Sequence, residues 1–588
     1  MNVEVLLLHP AVPFIVGALL MPFVRNIRLQ QTFCVVIPIA AFVMIYNLPA
    51  SAPTVCYLGL QLHVLRVDTL SFLFLHVFCL MALIGALYSL HVREPDHHCA
   101  AFLYVAGSLG VVLSGDYLTL FVCWELMAIA STLLIVQRRT RESLAAGFRY
   151  LLIHVAGGLS LFAGIMIKYA HSGSLSFVPI APAAAGPADI LIMIGFMLNA
   201  AVPPLHAWLA DAYPEATVTG AVYLCAFTTK TAVYALCRAF SGFEVLTLLG
   251  AGMALFGVCF AIVENNIRRI LAYHIISQVG YMVCGIGIGT DMAVNGACSH
   301  AYAHIIYKAL LFMGAGCVLE MTGKQKLTEL GGLYRYMPYS FLFTVIGGIS
   351  ISGFPLTSGF VSKSMVTVAA AEVHRAVIFM ILMLASIGTF LSVGIKLPYF
   401  VWFGKPAEVP AREAPWNMRC AMTLAAVICL GIGCYPQLLY RMLPHPVLYQ
   451  PYTMTHLSEA LQLLGFTGLG FYLLAKKLAP RDVIHLDFDW LYRRLARLFM
   501  RLCRNPLQGI DTALGELSHR AGLQHLMAAA RFCAGFDLQR LDRYIDGAAR
   551  QVLVCGERVR TLHTGNIQHY IGAALMLLFL LLVLGVFS

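Results

Sequence analysis

The sequence predicts an all-α, polytopic membrane protein of about sixteen transmembrane helices, with two inverted repeats that contain broken helices and a lateral amphipathic helix beyond them. Three observations carry that prediction. The first is composition: hydrophobic residues make up 60% of the 588 and charged residues only 11%, with a mean hydropathy of +0.80. A soluble chain keeps roughly a quarter of its residues charged. The second is the placement of the basic residues behind the net charge of +11. Arg138, Arg139 and Arg141, then Arg268 and Arg269, then Lys324, Lys326 and Arg335, crowd alternate loops, while residues 172–189 hold no Lys or Arg. That bias is the positive-inside pattern; it sets the basic loops in the cytoplasm and both termini outside, and it makes the charge a topology signal rather than a nucleic-acid footprint. The third is a pair of interrupted spans, Asn199-Ala-Ala-Val-Pro203-Pro204 and Gly353-Phe-Pro355-Leu-Thr-Ser-Gly359. Each proline removes a helical donor, and broken helices at membrane depth persist where protein or a wet cavity satisfies the freed groups. A matched pair points to inverted repeats; two packing kinks are the alternative.

In chain order, residues 1–95 hold three apolar spans. The first opens at Val3 without the basic stretch or cleavage site of a signal peptide, and so reads as a retained helix. Residues 98–240 and 244–403 form the first and second repeats, with about ten spans and nearly all the intramembrane polar side chains. Residues 418–475 add the C-terminal spans. Residues 476–562 differ: Trp490, Leu491, Leu495, Leu498, Phe499 and Leu502 are set against Arg493, Arg494, Arg497, Arg501 and Arg504. This is an amphipathic helix that lies along the interface or along neighbouring helices, with a solvated tail as the alternative. Residues 563–588 close the chain with a terminal transmembrane helix.

The chemistry is concentrated in a few ionisable residues inside apolar spans. Glu125 follows Trp124 in a span with no other charge. A carboxylate at that depth costs about 2.5–3.5 kcal/mol on insertion scales, which suits a proton-binding group or the partner of a lysine, or an acid tying two helices together. His300, His304 and Lys308 follow one another at i, i+4 and i+8, so all three lie on one helix face. Imidazole titrates near neutral pH, and such a row can pass protons; structural glue between helices is the other reading. Lys230 lies too deep in its span to snorkel, and Lys363 stands four residues past the second break. His154, His206 and His274 are placed to bridge these centres.

The seventeen cysteines never fall as CxxC, so no iron–sulfur cluster, zinc site or disulfide framework is expected. No GxGxxG or GxxxxGK[ST] motif is present. The expectation is no cofactor and no metal in this chain, with any driving reaction elsewhere.

Taken together, Trp124-Glu125, the Pro-Leu-His-Ala-Trp-Leu run at 204–209, Arg268-Arg269-Ile-Leu-Ala-Tyr273 with Ser277-Gln278-Val-Gly-Tyr281, the stretch His300 to Phe312 and the stretch Gly353 to Lys363 strongly resemble the antiporter-like subunits shared by respiratory complex I, membrane-bound hydrogenases and Mrp-type cation/proton antiporters. Thr229-Lys230 and Leu397-Pro-Tyr399 look most like the Mrp D-type branch. The end of the chain is similar to the distal complex I subunit, which also has a long lateral amphipathic helix. The resemblance implies two inverted five-helix repeats flanked by extra helices. It assigns Glu125, Lys308 and Lys363 to the family's glutamate, central lysine and second-break lysine, and His300 and His304 to its connecting histidines. One position departs: the family's first-repeat lysine aligns with Asn199. Either Lys230 takes over that role, or the first half-channel is silent.

The function implied is a proton- or Na+/H+-translocating subunit of a multisubunit complex in the cytoplasmic membrane, with other membrane subunits and lipid as partners and no nucleic acid. Membership of a quinone oxidoreductase or hydrogenase complex described by its redox reaction, a scaffold, and a bicarbonate-uptake partner are the alternatives.

Overall fold

A computed structural model describes residues 8–50, 54–57, 59–405, 410–483, 486–561 and 563–586. The opening of the expected first span, Val3 to Leu7, lies outside the described residues. The chain divides into two units, Met1–Asp489 and Trp490–Ser588. Apart from one short antiparallel hairpin, in which Val55–Tyr57 pairs with Leu60–Leu62, the regular structure among the described residues is helical. Among the described residues, thirteen helices are long and apolar enough to cross a membrane. Ala11–Phe23, Pro187–Asn199 and Pro338–Ser352 are shorter apolar helices. The expected sixteen therefore does not emerge as a count of full-length spans; two of the shorter helices, Pro187–Asn199 and Pro338–Ser352, are the first halves of interrupted spans and fall short on length.

In the first unit, α1 (Ala11–Leu20), α2 (Ile27–Met44) and α3 (Thr69–Ser89) precede a series of helices that recurs. The first series is α4 (Pro95–Leu113), α5 (Tyr117–Val136), α6 (Arg141–Ser172), the broken pair α7 (Pro187–Asn199) and α8 (Ala207–Ala212), and the pair α9 (Val218–Leu224) and α10 (Thr228–Ala239). The second is α11 (Glu244–Val263), α12 (Ile267–Ile288), α13 (Asp291–Thr322), the broken pair α14 (Pro338–Ser352) and α15 (Ser358–Glu372), and α16 (Ala376–Thr389), which runs on through π-helical turns at Phe390–Lys396 and Tyr399–Phe403. Helices α17 (Trp416–Cys434) and α18 (Met454–Leu474) follow.

The correspondence between the series extends to their caps. Asp116 N-caps α5 and Asn266 N-caps α12, and the isolated bridges Asp116–Ser176 and Asn266–Lys326 occupy matching positions. Both α6 and α13 are 32 residues long. Each ends on a left-handed glycine, Gly173 at φ 66° and Gly323 at φ 69°, a conformation glycine adopts without a Cβ penalty. Each series makes an odd number of crossings if a broken pair counts as one, so the second runs in the opposite sense through the bilayer.

Both breaks use the same device. Helix α7 ends at Asn199, and Ala201 then adopts φ 58°; α14 ends at Ser352, and Leu356 adopts φ 67°. A non-glycine residue held there costs on the order of 1–3 kcal/mol and persists only where its surroundings over-determine it. At the first break Ala201 N and Trp208 Nε1 both donate to the Leu198 carbonyl, each at 3.0 Å. At the second, Phe354 N donates to the Ile349 carbonyl at 3.1 Å. The freed backbone groups are thus met partly by protein.

Tight packing holds the site-bearing helices in place. Helices α11 and α12 approach so closely that a Cβ on Gly257 would sit 2.6 Å from the Tyr273 carbonyl, and one on Gly280 would sit 2.7 Å from the Gly250 carbonyl. Small residues at such crossings let backbones meet where lipid supplies no hydrophobic drive. At the basic end, Arg268 donates to the Pro214, Ala216 and Thr217 carbonyls. At the opposite end, Arg238 grips Asp68 in a two-pronged pair at 2.7 and 2.8 Å.

In the second unit, α19 (Asp489–Leu502), α20 (Gln508–Ser518), α21 (Gln524–Phe536) and α22 (Asp542–Thr561) are joined by π-helical turns at Cys503–Leu507, His519–Leu523 and Asp537–Leu541. Arg494 lies over the Trp490 ring at 4.9 Å. Helix α23 (Ile567–Val586) closes the described chain.

Candidate functional site

Helix α13 carries His300, His304 and Lys308, all fully buried. One turn of helix separates successive members, about 6 Å of rise each. The His300 and His304 ring centroids are 6.2 Å apart. His300 Nε2 meets Gln278 Oε1 at 3.2 Å, and its Nδ1 meets Ser362 Oγ at 3.3 Å. The second of these joins α13 to α15, where the neighbouring residue is Lys363. The Lys363 ammonium sits over the Tyr281 ring at 4.8 Å from its centroid. His274, on α12, meets Ser392 Oγ at 2.6 Å. His304 lies within electrostatic reach of Lys230, Lys308, His300 and His274.

Lys230 joins this group through a feature with no proline to announce it. The span containing it is broken: α9 stops at Leu224 and α10 starts at Thr228. Lys230 Nζ donates to the Cys225 carbonyl at 2.8 Å and to Thr229 Oγ1 at 2.9 Å. The lysine therefore caps a carbonyl at the interruption, beside the same cysteine that lies near Lys308. The Tyr104 hydroxyl accepts from Thr228 N at 2.9 Å and is 2.6 Å from Thr228 Oγ1, stapling the joint.

Two aspects of the cluster decide its chemistry. Among the described residues no carboxylate forms an ion pair with Lys230, Lys308 or Lys363. Lys308 Nζ, Lys363 Nζ and both ring nitrogens of His304 also find no hydrogen-bond partner among the described residues. Buried polar groups of this kind are completed by ordered water. Charge on Lys230 opposes charge on Lys308, since like charges within reach of one another disfavour the doubly charged state. Such a cluster suits protons that move stepwise through lysine, imidazole and water.

The remaining expected residues fall elsewhere. His154 packs against Tyr150 with ring centroids 4.1 Å apart and meets the Trp208 edge at 4.7 Å, beside Asn199. Glu125 makes no ion pair among the described residues, and its Oε1 has no hydrogen-bond partner. Because α6 and α13 are in register, His154 stands where the second series has His304, and Gly158 stands where it has Lys308. The space above Gly158 is filled by the Glu125 carboxyl, with which an added Cβ would collide.

His206 is not brought to the cluster. Its Nε2 meets Asp487 Oδ1 at 3.1 Å, with side-chain exposures of 0% and 6%. The Tyr273 hydroxyl donates to Oδ2 at 2.7 Å and Phe488 N donates to Oδ1 at 2.6 Å. Burial pushes the Asp487 carboxyl up, but His206, Tyr273 and the Phe488 amide outweigh it and hold it below the usual carboxylate range. A lowered folded-state value means stability that is present above the unfolded carboxylate value of about 3.9 and lost as pH falls through the lower folded-state value. Asp487→Asn is expected to cost about 1–3 kcal/mol of local stability at neutral pH. Faster tryptic cleavage after Arg481 would report it, and the difference from wild type should shrink below about pH 4.

Sequence reasoning passed over Asp487 and also Lys396. Lys396 is buried in the π-helical continuation of α16, where its ammonium donates to the Ile262 and Glu264 carbonyls at 2.6 and 3.1 Å and so caps α11. Its signal was available: it is the one charge in residues 376–403.

An all-helical bundle with paired interrupted spans and a string of buried lysines and histidines defines an antiporter-like polytopic membrane subunit. The chain belongs to the NADH:quinone oxidoreductase/Mrp antiporter family, whose transmembrane model matches residues 114–392. It is 30% identical over 449 residues to the D-type Na(+)/H(+) antiporter subunit of Alkalihalophilus pseudofirmus, covering 71% of this chain and 90% of that one. Its fold is that of a chain in the Mrp complex from Dietzia sp. DQ12-45-1b, with a TM-score of 0.68 at 22% identity over 80% of this chain and 99% of that one. It is also that of a chain in the membrane-bound sulfane sulfur reductase, an archaeal respiratory membrane complex, with a TM-score of 0.68 at 21% identity over 98% of this chain and 99% of that one.

Proposed function

We propose that this chain translocates protons as one subunit of a multisubunit complex in the cell membrane, by a relay through Lys230, Lys308, His304, His300 and Lys363 with His274 beside it. The observation that supports this most is the cluster itself: titratable side chains on α10, α12, α13 and α15, fully or almost fully buried, with no acid among the described residues paired to the lysines and several polar atoms left for water. A purely structural cluster would be paired, because an unpaired buried charge only destabilises. The donor set also argues for protons over Na+ on this route. A hard cation needs several oxygen ligands, whereas ammonium groups repel it. Family membership supports the same reading, and the Alkalihalophilus relative is named as an Na(+)/H(+) antiporter subunit. If Na+ moves through the assembled complex, we place its path outside this cluster.

The test is reconstitution of the complete complex in liposomes and measurement of pH-gradient formation. His304→Ala should lower proton flux by about a hundredfold, within the range that positioned acid–base groups contribute, with subunit stoichiometry unchanged. Normal flux in that variant would sink the relay.

A further inference from the structure

Cys237, near the end of α10, and Cys298, on α13, meet thiol to thiol. Their sulfurs are 3.9 Å apart, with 61 positions of sequence between them. Both are free thiols, and both are buried, Cys237 being the more open at 6% exposure. A cysteine inside a membrane helix can serve as a small hydrophobe, but two that face each other across a helix contact are also within reach of a covalent bond.

The pair lies at the end of the bundle away from the basic loops. Cys237 comes two residues before Ala239, where α10 ends, and Cys298 seven residues after Asp291, where α13 begins. Arg238, next to Cys237, grips Asp68, whose side chain is 36% exposed, so water reaches this end. The positive-inside pattern puts Arg138 and Arg268 in the cytoplasm and this end outside, where disulfides form and persist.

The pair also touches the two helices that carry the relay. Cys237 follows Lys230 by seven residues, so the two share a face of α10, two turns or about 10 Å apart along its axis. Cys298 precedes His300 by two residues, and Lys230 lies within electrostatic reach of both His300 and His304. Helix α10 starts at the break after Leu224, so a bond near its far end would fasten a short helix whose near end is already a joint.

We propose that Cys237 and Cys298 form a reversible disulfide site, oxidised by hydrogen peroxide arriving from the outer face, and that the bond fastens α10 to α13 and slows the relay. The Cys237 thiolate attacks one peroxide oxygen, the O–O bond breaks, and the leaving hydroxide takes up the thiol proton as water; Cys237 is now a sulfenic acid. The Cys298 sulfur then attacks the Cys237 sulfur, the S–O bond breaks, and the hydroxide leaves with the Cys298 proton as a second water. Two thiols have given up two electrons and two protons, and one peroxide has become two waters. The sulfurs close from 3.9 Å to about 2.05 Å, which draws the outer end of α10 towards α13 and holds Lys230 at one position. The effect on flux rests on the relay proposed above; the bond itself does not.

The complete complex in liposomes is treated with hydrogen peroxide, digested without reductant and mapped by mass spectrometry. A peptide pair joined through Cys237 and Cys298 is expected, absent from the untreated sample and lost on adding a dithiol. Proton flux should fall by about tenfold or more in step with that bond, since misplacing a transfer group by about 1 Å can cost a hundredfold, and the dithiol should restore it. Cys237→Ala and Cys298→Ala, each alone, should match the wild type before treatment and keep their flux after it. Absence of the joined peptides, a full bond with unchanged flux, or an equal fall in both alanine variants would each overturn the proposal. The peptide map reads the site whether or not the chain carries protons, so an untreated complex without flux counts against the relay and not against the bond.

Discussion

Replacing Lys308 with Met is expected to abolish proton transport and to leave the complex at least as stable as the wild type. Lys308 is fully buried and its ammonium has no hydrogen-bond partner among the described residues. A charge in that position is carried at a cost, and exchanging buried ionic groups for apolar ones of similar volume is commonly neutral or stabilising by about 1–4 kcal/mol. Methionine has nearly the length and flexibility of lysine, so the cavity penalty of an alanine substitution is avoided. The relay loses its middle station, and flux should fall by about a hundredfold or more. Thermal melting of the purified complex and fluorescence-quench measurement of the pH gradient give the two readouts. The combination is what matters. A lysine that served as glue between helices would lose stability when replaced, with transport following in proportion to the fraction unfolded. Unimpaired transport in Lys308→Met would remove the residue from the path.

The residues that proved easiest to read are those whose meaning is local. His300, His304 and Lys308 share a face because of helical spacing alone, and α13 is buried from Ala293 to Val318. Proline marked both helix breaks, since a missing donor is a property of a single residue. The interruption at Cys225–Phe227 had no such mark. Here a lysine side chain meets a backbone carbonyl, and nothing in Leu-Cys-Ala-Phe-Thr-Thr signals that the backbone will yield. The His206–Asp487 pair spans 281 positions, and a contact of that separation exists only once the chain is folded. The match of Gly158 to Lys308 was equally hidden, because the two sequences differ at most positions; it became visible when α6 and α13 proved to share length and caps. Glu125 was recognised as important, but its outward direction depends on which face of α5 the neighbouring helices cover.

Lys230 makes the sharpest demand on the proposed path, because it has a structural duty as well. Its ammonium donates to the Cys225 carbonyl and to Thr229, so Lys230→Met should leave a buried carbonyl unsatisfied and cost about 1–3 kcal/mol. That is opposite in sign to the effect expected at Lys308. A loss of transport in Lys230→Met would therefore be ambiguous, and Lys230→Arg resolves it. Arginine keeps a positive charge and several donors, and so preserves the cap, but its guanidinium does not give up a proton under any physiological condition. If Lys230 relays protons, Lys230→Arg should melt within about 1 kcal/mol of the wild type and still lose most of its flux, by about tenfold or more. Wild-type flux in Lys230→Arg would show that the residue only closes the helix break. The path would then begin at Lys308, and the chain would conduct through its second series alone, with Asn199 marking a first series that carries no proton of its own.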